Sequence, residues 1–218
     1  MVDATTERAE AAVVFELMAT ARAVRWLRPD PVPPEVVERL VWAATRAPSP
    51  GNSQDWAFVC VDDRQILERI GAAFGEVMGP RLSRMDRPDR TTALMLDGAT
   101  NLATNLSTVP LVVFVCGRVS YPAADPREIF TWSALYPATQ NLLLAARALG
   151  LGATLTTLHH TAEPLVRAEL AIPDDVRIAA TVPIGWPAVP FGSVVRRPVS
   201  EVLHRNRYGA TGGHDHGA

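Results

Sequence analysis

The hydrophobic pattern switches along the chain between helical and strand periods, and one stretch fits neither an ordinary surface helix nor a strand. Residues 5–21 place Val13, Phe15, Leu17 and Met18 in an amphipathic helical pattern. Pro33-Pro34-Glu35 opens a second helix reaching about Arg46, with Val36, Val37, Leu40, Val41 and Ala44 at helical spacing. Proline suits such a first turn, where no backbone N–H is required. Residues 56–61 read as a strand closed by Asp62-Asp63, a turn and helix N-cap, and a helix follows over 64–77. From 79 to 90, Arg81, Arg84, Asp86, Arg87, Asp89 and Arg90 alternate in sign around Pro80 and Pro88, which predicts a solvated, mobile connection. A helix then runs to about Ser107, followed by a strand over 110–116 and a proline-containing loop over 121–130.

The exceptional stretch is 133–149. It is apolar on most helical faces and broken mainly by Gln140, Asn141 and Arg147. A helix apolar all round must be buried. In a chain of 218 residues, that burial points to a second subunit. Gly150-Leu151-Gly152 stops the helix and leads into a strand over 153–157. It lacks the third glycine and the preceding strand of a dinucleotide-binding turn. A helix over 161–170, a turn at Asp174-Asp175 and a strand over 176–184 complete the pattern. Residues 209–218 read as a disordered tail whose His214 and His216 carry no functional metal site. Strands and helices interleave without the alternation of a doubly wound fold. The expected class is therefore α+β, with one domain over 1–208.

Composition removes several classes of function. A net charge of −2 gives no reason to expect nucleic acid or an acidic membrane as partner. No apolar run approaches the roughly 20 residues of a membrane span. The first residues carry Asp3, Glu7 and Glu10 rather than a basic segment before an apolar core, so a cytoplasmic location is expected. Cys60 and Cys116 each sit in an apolar strand pattern and read as reduced core cysteines. All 21 basic residues are arginine, which nucleotide bias in the source genome explains. The absence of lysine nonetheless excludes Schiff-base chemistry and leaves any phosphate to arginine, backbone amides or hydroxyls.

The chemistry concentrates in Ala47-Pro48-Ser49-Pro50-Gly51-Asn52-Ser53-Gln54-Asp55-Trp56. Prolines stiffen this loop, Gly51 allows a tight bend, and Ser49, Asn52 and Gln54 supply hydroxyl and amide groups, which suits a flat polar ligand as well as an ordinary turn. Upstream stands Arg22-Ala23-Val24-Arg25-Trp26-Leu27, followed by Arg28-Pro29-Asp30-Pro31-Val32. Together these segments resemble the FMN-dependent nitroreductase family, with its Arg-Ser-Val-Arg-x-Phe type motif and a later Pro-Ser-x-x-Asn-x-Gln-Pro-Trp type loop. The resemblance continues through 137–142, 148–154, Thr156-Thr157-Leu158-His159, Pro183-Ile184-Gly185 and Arg196-Arg197-Pro198, in the family's order over most of the chain.

The resemblance implies a mainly antiparallel central sheet flanked by helices, in an intertwined homodimer with two FMN sites at the interface. Arg22, Ala23, Val24 and Arg25 match the family's N-terminal flavin-binding segment. Arg25 takes the place of the basic residue near N1 and O2, where two-electron reduction develops negative charge. Arg22 takes the phosphate or ribityl end. Pro48, Ser49, Pro50, Asn52 and Gln54 match the loop that the partner subunit presents. Thr156, Thr157 and Leu158 match the segment near N5, Gly185 a position of close backbone approach, and Arg196 and Arg197 the phosphate-binding basic cluster.

Four positions depart from the family pattern. Ala23 replaces a serine and Ala21 an arginine, which removes cofactor contacts, while Asp55 replaces a proline and Leu27 an aromatic. His159 and His160 end a strand, so that one of them faces the site, without an obligatory catalytic role. The implied function is an FMN-dependent oxidoreductase in which NADH or NADPH reduces the cofactor, which then reduces a nitroaromatic, quinone or similar small acceptor. The alternatives are other flavin chemistry (enoate reduction, dehalogenation or oxidative dehydrogenation), a non-catalytic flavin-binding or storage protein, and an interaction module without cofactor.

Overall fold

The computed structural model describes residues 9–210. The tail beyond 210, the two tail histidines and the expected helix start at 5–8 lie outside these residues. In chain order the elements are α1 (Ala9–Thr20), α2 (Pro34–Ala44), β1 (Trp56–Val61), α3 (Arg64–Ser83), α4 (Arg90–Thr104), β2 (Leu111–Arg118), α5 (Glu128–Ala148), β3 (Gly152–Ala153), α6 (Glu163–Leu170) and β4 (Val176–Gly185). The four strands form one antiparallel sheet in the order β1-β2-β4-β3, which is the expected α+β arrangement.

Alternation along β2 builds two cores. Leu111, Val113 and Val115 face α2 and α5, and Val112, Phe114 and Cys116 face α3, α4 and α6. Along β4 the alternation reverses. Val176 and Ile178 join the second core, whereas Ala180, Val182 and Ile184 join the first. The reversal falls where the register slips between Val115 and Cys116, because an inserted residue turns the following side chains to the opposite face. Cys60 packs against the first core and Cys116 lies in the second, so both stay free thiols, and burial raises their pKa to about 11 and about 12.

Local chemistry fixes the helix starts. Asp63 accepts from the backbone N–H of Gln65 and Ile66 at 2.8 and 3.1 Å, and Asp89 accepts from Thr92 N–H at 2.8 Å. Three expectations need correction. α3 does not stop at 77 but continues through Pro80 to Ser83, so the first residues of the expected connection are helical. The missing N–H of Pro80 costs little there, because the carbonyl left over belongs to Glu76, an exposed residue. α5 begins at Glu128, five residues before the expected start, and takes in the end of the expected loop. β3 contains only Gly152 and Ala153. Beyond it, Thr156 returns to the sheet as a single bridge to Thr181.

α5 packs on α2 and on the sheet, burying Thr131, Ala134, Leu135, Ala138, Thr139, Leu142 and Ala146. Its remaining apolar faces stay open within one chain, with Ile129 61% and Tyr136 46% exposed. The neighbouring helices add Phe15 at 59% and Trp42 at 63%.

Candidate functional site

The segment after α1 lies alongside the short edge strand β3. Ala23 bridges Ala153 in parallel, and Val24 N–H donates to Ala153 O at 3.0 Å. Val24 is buried against Gly152, where an added Cβ would come within 2.7 Å of Val24 Cγ1. Glycine at 152 therefore lets the two backbones meet. This anchoring presents Arg22, Ala23 and Arg25 to a cleft of ≈ 210 Å³, walled also by Gln140, Leu143 and Arg147 of α5 and by Thr154, Leu155 and Phe191.

The cleft is cationic. Arg22, Arg25 and Arg147 line it and no carboxylate does. Among the described residues, none of the three arginines forms an ion pair. Arg147 Nε donates to Thr20 Oγ1 at 3.0 Å, and its guanidinium lies 4.2 Å from the Phe191 ring centre. Arg25 is half-buried, and this burial, followed by the charge of Arg22, pulls its pKa below the ordinary arginine value. Concentrated, partly desolvated positive charge without a counter-charge is a receptor for an anion.

The other expected residues lie elsewhere on the chain. Pro48, Ser49, Pro50, Asn52 and Gln54 form a loop with a 3-10 turn at Pro50–Asn52, away from the lining of this cleft. Ser49 Oγ accepts from Gln54 N–H at 3.2 Å, and the Asn52 and Gln54 side chains are exposed. Gly51, Asn52 and Gln54 all have left-handed backbones, at φ of 61°, 54° and 53°. For a glutamine this is a strained conformation of the kind that collects at ligand-binding loops. The Asp55 carboxylate accepts from the Ser120 hydroxyl.

Thr156 pairs with Thr181, Thr157 is exposed, and Leu158 packs against the second core. Thr154 and Leu155, two residues earlier, are the ones that line the cleft. The space beside Gly185 is filled, since an added Cβ would lie 2.7 Å from Pro110 Cγ. Arg196 Nη1 donates to Val195 O at 2.9 Å, and Arg197 lies 4.0 Å from Glu201, both outside the cleft of their own chain.

His159 and His160 lie in a 3-10 turn rather than at a strand end, and neither lines the cleft. Sequence reasoning passed over Gln140, Arg147 and Phe191 as site residues. The first two had a signal. Gln140, Leu143 and Arg147 recur at i, i+3 and i+7, the spacing of one helical face.

The chain belongs to the nitroreductase family, whose profile matches residues 18–186. A protein of Archaeoglobus fulgidus, provisionally named an NADH dehydrogenase/NAD(P)H nitroreductase, is 28% identical over 177 residues, covering 79% of this chain and 84% of that protein. Iodotyrosine deiodinase 1 of Rattus norvegicus is 26% identical over 182 residues, and the chain spans 62% of that enzyme's length. Among solved structures, an iodotyrosine deiodinase bound to FMN and 3-iodo-L-tyrosine shares the fold at a TM-score of 0.71, with 22% identity and coverage of 89% of this chain and 100% of that one.

Proposed function

We propose that this protein is an FMN-dependent oxidoreductase acting as a homodimer, with NADH or NADPH as electron donor and a small organic molecule such as a nitroaromatic or quinone as acceptor. The observation that carries the reading is the uncompensated arginine cluster on the anchored segment 22–25. FMN suits that cluster, because its phosphate is anionic throughout and its ring gains negative charge on reduction. When bound, the flavin supplies two-electron transfer between donor and acceptor.

The chain's own residues divide the remaining work. Arg22 and Arg147, which line the cleft, suit the phosphate. Arg25, anchored through Val24 and partly desolvated, suits the side of the ring that becomes anionic. The cleft of ≈ 210 Å³ is smaller than the roughly 300–1,000 Å³ that encloses a compact organic ligand, so one chain supplies part of a site. The loop 48–54, with its exposed amides, is suited to complete the site of a partner. Exposed Phe15, Trp42, Ile129 and Tyr136 on α1, α2 and α5 provide an apolar surface for that partner. Arg196 and Arg197 are proposed to join the phosphate site in the assembled dimer.

The test is spectroscopic. The purified protein, reconstituted with FMN where necessary, is expected to show an oxidised flavin spectrum that bleaches with NADH or NADPH under anaerobic conditions and recovers with an added quinone. Bound flavin that no nicotinamide reduces would favour storage or another donor, and failure to bind FMN would reject the reading. The similarity to iodotyrosine deiodinases favours a second reading, reductive dehalogenation of an aromatic substrate. Halide release from a halotyrosine by the reduced protein separates the two readings.

A further inference from the structure

Helix α4 carries a contact that neither the sequence pattern nor the family resemblance singles out. Gly98, in the interior of α4, is buried against Arg25, and an added Cβ there would lie 3.1 Å from both Cβ and Cδ of Arg25. One turn further along, Asn101 Nδ2 donates to the backbone carbonyl of Arg25 at 3.1 Å. The Asn101 Oδ1 in turn accepts from Asn105 Nδ2 at 3.0 Å, which aims the amide's donor end at Arg25.

A glycine in a helix interior is unfavourable on propensity alone. Gly98 has no left-handed backbone to justify it, since among the described residues the positive-φ glycines are Gly51, Gly150 and Gly209. The requirement is space for the arginine stem. The backbone of Arg25 is held by the Val24–Ala153 hydrogen bond on one side and by Asn101 on the other. Of the two contacts, the one at Cδ is relieved by turning the side chain, whereas Cβ moves only with the backbone, which these two hydrogen bonds hold against the few tenths of an ångström required. Turning is favoured further by the like charge of Arg22, which opposes the native position of the guanidinium.

We propose that Gly98 and Asn101 are positioning residues that hold the Arg25 guanidinium in the cleft. Gly98 gives the stem its channel and Asn101 locks the backbone from which the stem departs. The proposal deepens the reading of Arg25 as the cation facing the cofactor ring and rests on that reading for its functional consequence. The α3–α4 pair, which carries the segment between Ser83 and Arg90, is thereby connected to the charge that sets the redox behaviour of the site.

Two measurements keep the proposal distinct from the reading beneath it. The first needs no cofactor. The Nε–H signal of Arg25, assigned by its loss in Arg25→Gln, is followed by nitrogen-edited NMR in the wild type, Gly98→Ala, Asn101→Ala and a control, Gly79→Ala. The control site on α3 has open space around it. Gly98→Ala and Asn101→Ala are expected to shift the signal by more than its linewidth, and Gly79→Ala to leave it unchanged. Asn101→Ala removes two side-chain hydrogen bonds and adds no bulk, so it tests the idea even if Gly98→Ala does not fold. An unaltered Arg25 signal in the folded variants overturns the proposal.

The second measurement is the reduction potential of bound FMN in the same variants, expected to fall in the direction of Arg25→Ala. A displaced Arg25 with an unchanged potential would leave the positioning standing and defeat the assignment of Arg25 to the flavin ring. If FMN does not bind, the proposed function fails and the NMR result alone decides the positioning.

Discussion

His159 Nδ1 lies 3.0 Å from Thr181 Oγ1 in a fully buried contact between the 3-10 turn after β3 and the middle of β4. Its Nε2 has no hydrogen-bond partner among the described residues. Burial first, and then the charge of neighbouring His160, lower its pKa from 6.5 to about 4, so the folded protein holds this ring neutral. The unfolded chain takes up a proton near 6.5, whereas the folded one resists until about 4. The contribution to stability is therefore complete above pH 6.5, declines as pH falls below it, and levels off below about 4. A loss on the order of 3 kcal/mol is expected across that window. Urea unfolding at pH 7.5, 6.0 and 5.0 checks it, and His159→Gln should flatten the slope. A wild-type stability unchanged down to pH 5 would show that the ring is reached by water.

A second prediction concerns the backbone of the loop that carries Asn52 and Gln54. Gly51 has φ of 61°, and a Cβ there would overlap the Tyr121 ring. Gly51→Ala meets both an unfavourable backbone region and a packed aromatic, which Phe130 holds edge-on at 5.4 Å between ring centres. We expect a cost of about 1–3 kcal/mol in thermal or denaturant unfolding. Gly150→Ala, also at positive φ but in open space, should cost only the backbone share, about 1 kcal/mol. Equal losses at the two sites would remove Tyr121 from the account.

Periodicity made most elements legible, because each helix and strand needs one apolar face to join a core. It failed where tertiary contacts overrule local pattern. The charge alternation and Pro80 after residue 78 resemble a connection, yet α3 continues to Ser83, where Leu82 is buried with Leu96. The reversal of faces along β4 has no sequence signature, since it depends on the strand opposite. In the cleft, Arg22 and Arg25 were legible from the resemblance. Arg147 was hidden because a lone cation in an apolar helix reads as an interruption until Thr20 and Phe191 are seen to hold it. The loop 48–54 and Arg196-Arg197 lie outside the cleft of their own chain, and joining them to it depends on the proposed second subunit.

A third prediction tests that second subunit. Light scattering at low micromolar concentration should report about twice the chain mass of 23.6 kDa. Trp42 is 63% exposed on α2 next to α5, and Ile129 is 61% exposed on α5. Placing a carboxylate in a buried apolar contact costs several kcal/mol, so Trp42→Glu and Ile129→Glu together should yield monomer. In the shared-site reading, that monomer also binds FMN at least about tenfold more weakly. A monomeric variant with undiminished FMN affinity would locate the whole site within one chain.

The last prediction separates the arginines of the cleft by what they respond to. Arg25 is the half-buried one, and its proposed neighbour, the ring, becomes anionic only on reduction. Losing a charge-assisted bond of about 1.5–3 kcal/mol to the reduced state alone should lower the two-electron potential by about 30–60 mV in Arg25→Ala, with a smaller effect on binding of oxidised FMN. The phosphate is charged in both redox states. Arg22→Ala should therefore weaken both equally, about 10–100-fold, and leave the potential near the wild-type value. Arg196 and Arg197 lie outside the cleft of their own chain, so their joint replacement is informative about the dimer. An affinity loss without a potential shift places them in the phosphate site across the interface, and unchanged binding removes them from it. The required measurements are FMN dissociation constants and reduction potentials on the three variants. If Arg25→Ala loses affinity alone, with the potential of the wild type, then Arg25 serves the phosphate with Arg22, and the charge facing the ring must come from another residue.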